Sequence, residues 1–362
     1  MAENGLRIGV VGVGFGTSVH VPGFRSEGWE VNAICSRTEE HVIKAAAEFD
    51  IPNKTTDYRE LVARDDIDAV AIVTPPSTHA EITLAALDAG KHVLCEKPFV
   101  MSEAEAANLR DAVAAKGLTG MITHEFRFTP QRSHLKELLD QGYVGEVQTV
   151  NVEGNVSFGR PDAPPPLTWQ GQSAMGGGTI GGLGSHYIDT LRYWLGELAS
   201  VSAETATLRP QRTDPSTGAI VLTDTEDSFA MTMRFKSGAL GTFAWTTSAP
   251  VSLGVRITIQ GTEGVLCAPQ ARVNPDTAAV VYGAKAGESE LKPLPMPERL
   301  TPFVDDRDGR LAPFRLLVRQ FERGIREGTS PSPNFEDGLR TQQVMDAINK
   351  SAATGERVTL NL

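Results

Sequence analysis

The sequence predicts an α/β chain: a doubly wound parallel sheet at the N-terminal end, followed by an α+β domain built on a large, mostly antiparallel open sheet. Three observations predict it. Residues 7–122 alternate short apolar runs with helical stretches, the pattern of a parallel sheet covered on both faces. Beyond about residue 123, strand-like runs follow one another in series and helices segregate from them. The length of 362 residues exceeds what one core usually holds and suits two domains, expected over 1–123 and 124–362.

Arg7–Val11 is an apolar run ending at a glycine, which reads as a buried strand. Val31–Cys35, Ala69–Val73, Lys91–Cys95 and Thr119–Ile122 have the same texture. Helical stretches lie between them at Glu39–Phe49, Tyr58–Arg64, Ala80–Ala89 and Ser102–Lys116. Gly90 follows the third of these, a common residue just past a helix end. Ser102 with Glu105 three residues on gives the reciprocal capping pattern at the start of the fourth. In the second domain, Thr129–Gln141 reads as helix and Val147–Val156 alternates as a half-buried strand does. A proline- and glycine-rich loop covers 159–175, and residues 186–195 are helical in pattern. Residues 200–292 give several strands with hairpin signals at Lys236-Ser237-Gly238 and Gly261-Thr262-Glu263-Gly264. Amphipathic helices are expected at 312–327 and 336–352. There is no internal repeat and no low-complexity tract.

Composition narrows the function. A net charge of −11 argues against a nucleic-acid or anionic-membrane surface, while leaving room for a local basic pocket for phosphates. No apolar stretch reaches about 18 residues, so no membrane span is expected. The N-terminus runs directly into a strand without a charged-then-apolar leader, and the expected location is cytoplasmic. The three cysteines, Cys35, Cys95 and Cys267, are far apart and odd in number, as suits buried free thiols in a reducing compartment. No metal site is expected: His124-Glu125 lacks the second histidine of a zinc helix, and no CxxC occurs.

The turn Gly12-Val13-Gly14-Phe15-Gly16 follows the first strand and precedes a helix. Glycines there permit a tight turn and let backbone approach a pyrophosphate at a helix N-terminus, which makes Gly12, Gly14, Phe15 and Gly16 candidate cofactor contacts. The third glycine of the usual pattern is Thr17, with Gly16 one residue early; the plain alternative is an ordinary strand–helix turn. At the end of the second strand, Ser36 and Arg37 stand where an NAD site usually places a carboxylate. A guanidinium pairs with a ribose 2′-phosphate, so this favours NADP over NAD, unless Arg37 is only a solvated residue at a helix start. Thr74-Pro75-Pro76-Ser77-Thr78-His79 follows the next strand, and its prolines force an extended turn that can pass over the cofactor. Thr74, Pro75, Ser77 and His79 are further candidate contacts, with His79 alternatively a cap of the next helix.

Two residues handle protons in this reading. Hydride transfer from an alcohol needs a group that takes the hydroxyl proton as the carbon gives up hydride, and a lysine serves if burial and a nearby positive charge bring it toward neutrality. Lys97 lies just past a strand C-terminus, the end at which such sheets bind ligands; alternatively it pairs with Glu96 to support the strand end. His186 follows six glycines within 176–184, a stretch too flexible to be scaffold without entropic cost. Those glycines would admit cofactor and substrate; the rival reading is a core histidine at a helix start. Asp189, three residues on and on the same helical face, orients His186 or only its neighbours.

These residues resemble the glucose–fructose oxidoreductase, inositol 2-dehydrogenase and rhizopine-catabolism (Gfo/Idh/MocA) family. The matching pieces span almost the whole chain: Gly12-Val13-Gly14 with His20, Thr74-Pro75-Pro76 with His79, Ala89-Gly90-Lys91-His92-Val93 leading into Glu96-Lys97-Pro98, Arg127-Phe128, Gly176-Gly177-Gly178, Gly184-Ser185-His186 with Asp189, and Ser351-Ala352-Ala353-Thr354-Gly355. The resemblance implies a Rossmann domain, then an α+β domain whose sheet makes homodimer or homotetramer contacts. It implies that Lys97 and His186 are the proton-handling pair, that Glu96 and Thr74 lie along the cofactor, and that Arg127 and Trp169 face the substrate. One departure stands out: sugar dehydrogenases of the family often carry an aspartate four residues before the histidine, where this chain has Gly182.

The leading expectation is an NAD(P)-dependent oxidoreductase acting on a sugar, polyol or related secondary alcohol or ketone, with Lys97 as general acid/base. The 159–175 loop and the inward strands of the second sheet would set specificity. Two alternatives are a glycosidase that uses a tightly held NAD without net redox change, and a non-catalytic cofactor-sensing regulator.

Overall fold

The computed structural model describes residues 5–157, 163–271 and 280–362. Residues 159–162 of the expected specificity loop lie outside them. Six strands form the first sheet: β1 (Arg7–Val11), β2 (Glu30–Cys35), β3 (Asn53–Thr55), β4 (Ala69–Ile72), β5 (His92–Cys95) and β6 (Gly120–Ile122). All pair in parallel, in the order β3-β2-β1-β4-β5-β6. The order reverses direction between β1 and β4, the point at which doubly wound sheets bind ligands. Between the strands run α1 (Val21–Ser26), α2 (Glu39–Glu48), α3 (Tyr58–Val62), α4 (His79–Asp88) and α5 (Glu103–Lys116). Ser102 caps α5 as the sequence predicts, its hydroxyl accepting the Glu105 amide at 3.3 Å. The central strands are buried on both faces, which is why they read as unbroken apolar runs.

The nine-stranded second sheet is built from α6 (Pro130–Asp140) onward. Its strands are β7 (Val147–Asn155), β8 (Leu198–Ala206), β11 (Ser228–Phe235), β12 (Leu240–Thr246), β13 (Gly254–Gly261), β14 (Gly264–Gln270), β15 (Val281–Lys285), β16 (Lys292–Leu294) and β17 (Val358–Thr359), with α7 (Ser185–Leu195) leading into β8. A separate hairpin pairs β9 (Gln211–Thr213) with β10 (Ile220–Leu222). The sheet order is β16-β15-β14-β13-β7-β12-β11-β8-β17, antiparallel throughout except where β7 lies parallel to β12. Burial alternates along β11 and β12, one face of each strand in the core and one outside. Phe229, Phe243, Trp245 and Tyr187 pack edge-on or tilted within that core.

The last helices are α8 (Leu311–Glu327) and α9 (Phe335–Thr354). Contacts divide the chain into one unit of residues up to Glu125 with 305–342, and another of 126–304 with 343–362. The first break falls after Glu125, and 305–342 clusters with the first unit although the sequence suggested one continuous second domain. The physical reason is aromatic. Phe314 and Phe321 on one face of α8 pack against Phe24 and Trp29, and Gly23 makes room, since a Cβ there would lie 2.4 Å from the Phe314 ring. Phe335 packs on Phe99.

Candidate functional site

The first unit gathers its candidate residues on the C-terminal edge of the parallel sheet. Gly12, just past β1, has φ 119°, and a Cβ on it would lie 2.3 Å from the Val73 carbonyl; only glycine fits. Its amide donates to Cys35 O at 2.9 Å, tying the turn to β2. Gly14 is different: a Cβ there would meet nothing within 4 Å, so its backbone faces open space. The helix that follows begins with a π-type turn at Gly16–His20 and continues into α1. Thr17 replaces the third glycine without harm because its hydroxyl donates to the Val13 and Gly14 carbonyls, at 2.5 and 3.2 Å. A closed turn at Gly12, open backbone at Gly14 and a helix start at Gly16 together fit a dinucleotide pyrophosphate. Phe15 borders the turn, edge-on to His20 and with the Arg310 guanidinium 4.9 Å from its ring centre.

Past β2, Ser36 is half-buried and Arg37 exposed, the latter with no hydrogen-bond or ion-pair partner among the described residues. Past β4, Thr74 and Pro75 are half-buried and Ser77 exposed, and the Thr78 hydroxyl donates to Thr74 Oγ1 at 2.7 Å. His79 lies deeper than its neighbours. Its ring is wholly buried, with Nδ1 2.9 Å from Phe99 O and Nε2 2.7 Å from Thr74 O, so it bridges two loops. Burial pushes its pKa down, against the pull of those two carbonyls.

Past β5, Glu96 is buried and Lys97 half-buried. Glu96 Oε1 lies 2.9 Å from His20 Nε2, and Oε2 accepts the Lys97 backbone amide at 3.1 Å; Thr123 Oγ1 accepts the same amide at 3.2 Å. Burial works to raise the Glu96 pKa, but the His20 bond and charge, the Lys97 charge and Thr123 outweigh it, and the carboxyl stays below its usual range. His20 is itself buried and packs 4.4 Å from the Phe314 ring. The resemblance pointed to His20 without a role; its pairing with Glu96, 76 residues away, was not readable from spacing.

In the second unit the glycine cluster has an unexpected use. A Cβ on Gly177 would lie 2.5–2.6 Å from the Gln170 and Trp169 carbonyls, and one on Gly178, at φ 112°, would lie 2.4–2.5 Å from the Glu226 carboxylate. These two glycines admit the chain's own groups, where the sequence suggested cofactor and substrate. Trp169 is half-buried in the turn 169–171, which Thr223 and Thr225 strap down through the Gly171 and Gln170 carbonyls. Glu226 accepts the Ile180 amide at 2.9 Å, and burial holds its carboxyl above the usual range against that donor.

His186 lies on the first turn of α7, 2% exposed, its imidazole parallel to the Phe126 ring at 3.8 Å and 9°. Asp189 and Arg127 are brought together. The sequence put both at the substrate, yet both are buried and paired with each other, Arg127 Nε and Nη2 reaching the two Asp189 oxygens at 2.6 and 2.5 Å. Phe126 and the fully buried Arg132 went unnoticed in the sequence, where nothing separates them from ordinary core and surface residues. Among the described residues no cluster of His, Cys, Asp and Glu could hold a metal ion, and no helix is long and apolar enough to cross a membrane. All three cysteines are free; burial, with Asp57 and Glu60 nearby, pushes the Cys35 thiol up to about 12.

A parallel sheet with this strand order, closed at Gly12 and open at Gly14, has the form of a dinucleotide-binding Rossmann domain. Residues 6–124 match the oxidoreductase family's NAD-binding Rossmann fold, and 136–360 its C-terminal alpha/beta domain. The chain belongs to the Gfo/Idh/MocA oxidoreductase family. It is 30% identical to levoglucosan dehydrogenase of Pseudarthrobacter phenanthrenivorans over 96% of each chain. It is likewise 30% identical to D-xylose 1-dehydrogenase (NADP(+)) 2 of Haloferax volcanii, over 98% of this chain and 100% of that one. Among solved structures it superposes on a levoglucosan dehydrogenase complex with NADH and levoglucosan at a TM-score of 0.89, with 28% identity over 99% of this chain and 100% of that one.

Proposed function

We propose that this oxidoreductase moves a hydride between a nicotinamide cofactor and a sugar, polyol or related secondary alcohol or ketone, with Lys97 as general acid/base. The observation that carries the reading is the anchoring of Glu96. His20 and the Lys97 amide hold its carboxylate in the backbone corner from which Lys97 projects, at the ligand-binding edge of the sheet. When bound, the cofactor supplies or accepts the hydride. Gly12, Gly14, Phe15 and Gly16 would hold its pyrophosphate, with Thr74, Pro75 and Ser77 alongside. Lys97 takes the substrate hydroxyl proton in oxidation and returns it to the ketone in reduction. His186 orients that hydroxyl or relays the proton, and Trp169 borders the sugar. The two sugar dehydrogenases among the relatives support the substrate class. Arg37, exposed and unpaired among the described residues, favours NADP over NAD. The reading carries with it a homodimer or homotetramer joined through the nine-stranded sheet. It also carries a cytoplasmic location, in keeping with three free cysteines.

The test follows nicotinamide absorbance with NAD or NADP and a panel of pyranoses, anhydro sugars, inositols and their keto forms. Wild-type turnover is expected on at least one of them. Lys97→Ala should cut kcat by about 10²–10⁴-fold while cofactor affinity holds. Arg37→Asp should move preference toward NAD. Turnover undiminished by Lys97→Ala would end the acid/base assignment.

A further inference from the structure

Phe126 and Arg127 are neighbours in sequence, and each grips a different residue of the same helical face. Phe126 lies flat on the His186 imidazole, 3.8 Å away and 9° from parallel. Arg127 holds the Asp189 carboxylate with two bonds at 2.6 and 2.5 Å, and its guanidinium lies 4.6 Å from the Tyr193 ring centre, one further turn along α7. Positions 186, 189 and 193 share one stripe of the helix, so a two-residue segment fixes both its rotation and one of its rings. We infer that Phe126 and Arg127 are positioning residues, a clasp that sets the plane of the His186 imidazole for its work on the substrate.

The other contacts of Phe126 support the same conclusion. The Arg132 guanidinium lies 4.5 Å from the Phe126 ring centre and 4.4 Å from that of Tyr187, and Phe126 meets Tyr187 edge-on at 88°. Phe126 thus contacts both a cation and the His186 imidazole. A phenyl ring braced in this way cannot tilt without losing both contacts. An imidazole turning about its Cβ–Cγ bond would leave the ring it stacks on. The hydrogen bond from Thr190 Oγ1 to His186 O, at 2.6 Å, steadies the helix turn that carries it. Arg127 and Asp189 thus support the helix turn that carries His186.

The inference rests on the proposed role of His186, and the experiment separates the two. Phe126→Leu keeps an apolar side chain and removes the flat ring; Phe126→Tyr keeps the ring. Both are made in the wild-type chain and in His186→Asn, and kcat and KM are measured on the best sugar of the panel. We expect Phe126→Leu to lower kcat about tenfold with little change in cofactor KM, Phe126→Tyr to restore most of it, and Phe126→Leu to do nothing further in His186→Asn. An equal loss in both backgrounds would make Phe126 mere scaffold and overturn the inference, as would unchanged kcat in Phe126→Leu. If His186→Asn itself matches wild type, it is the role of His186 that fails. The clasp is also read without turnover: the His186 Cε1 proton, assigned by its loss in His186→Asn, should lie upfield from the Phe126 ring current and move downfield in Phe126→Leu. No such movement overturns the clasp whatever the enzyme acts on.

Discussion

Two glycine clusters, Gly12–Gly16 and Gly176–Gly184, look alike in the sequence and do different work in the structure. In the first, Gly12 is closed against Val73 O while Gly14 is left bare, its would-be Cβ free of any neighbour within 4 Å. In the second, Gly177 and Gly178 are filled by the protein's own carbonyls and by the Glu226 carboxylate. The lesson is that a glycine run announces a close approach of backbone to something, and composition alone does not say whether that something is a ligand or the same chain. Open space beside a glycine leaves room for a ligand, but helix-end glycines such as Gly90 and Gly117 share it, so at Gly14 it is the place past β1, at the sheet's ligand-binding edge, that gives it meaning.

The largest effect should come from breaking the closed half of each cluster. Gly12→Ala meets both a disfavoured φ and a backbone carbonyl that cannot step aside, and should cost about 4 kcal/mol or more along with dinucleotide binding. Gly178→Ala meets the same kind of φ, but its neighbour is the end of a side chain, so the expected cost is about 1–3 kcal/mol with dinucleotide binding retained. Chemical denaturation and nicotinamide fluorescence titration measure the two. If Gly178→Ala abolished cofactor binding as Gly12→Ala does, the contrast between the clusters would be wrong.

Gly14→Ala sharpens the comparison from the other side. With no neighbour to strike, the methyl should leave the unfolding temperature where it is, yet weaken dinucleotide binding about tenfold, or about 1.4 kcal/mol. Unchanged affinity would mean that the bare backbone at Gly14 faces no cofactor.

Much of this was legible in the sequence, and what was not has identifiable physical causes. The strands β1, β2, β4 and β5 announced themselves because burial on both faces leaves them mostly apolar, with Arg7, Glu30, Asn32 and His92 confined to their first halves. β3 did not, because Asn53-Lys54-Thr55 is a three-residue edge strand with polar side chains throughout. Lys97 and the glycine turn were visible because local backbone geometry dictates their neighbours. The partners that define the site were not: Glu96 with His20, Arg127 with Asp189 and Gly178 with Glu226 meet across 76, 62 and 48 residues, and no local periodicity encodes such pairs. The same holds for 305–342, whose aromatic face is plain while its destination is not.

The Glu226 carboxyl gives the comparison a pH dependence. Burial holds its folded pKa above the ordinary value, so the folded state binds a proton that the unfolded state releases first. The stability this contributes is complete below the unfolded value, about 4.3, and is lost as pH rises through the folded one. Glu226→Gln keeps an oxygen for the Ile180 amide and removes the ionisation. It should therefore gain on the wild type between acid and neutral pH, by a few degrees in Tm at most, and match it near pH 4. A Tm difference that does not change with pH would mean that Glu226 is not buried enough to titrate abnormally.

The smallest effect, and the one that speaks most directly to the missing acid, is expected at Gly182. A Cβ there would meet only Gln170 Nε2, at 3.8 Å, and the residue lies in the helical run that leads into α7. Replacing a helical glycine by alanine removes backbone freedom from the unfolded chain, worth about 0.5–1 kcal/mol when nothing is struck. Gly182→Ala should thus be slightly stabilising, unlike every other glycine change considered. Position 182 also precedes His186 by four residues, close to one helical turn, so its side chain would share the His186 face. If a sugar lies against that face, the added methyl should raise the substrate KM several-fold while cofactor affinity and Tm show no loss. If KM stays constant as well, Gly182 faces neither ligand nor core, and the space left by the absent aspartate plays no part in choosing the substrate.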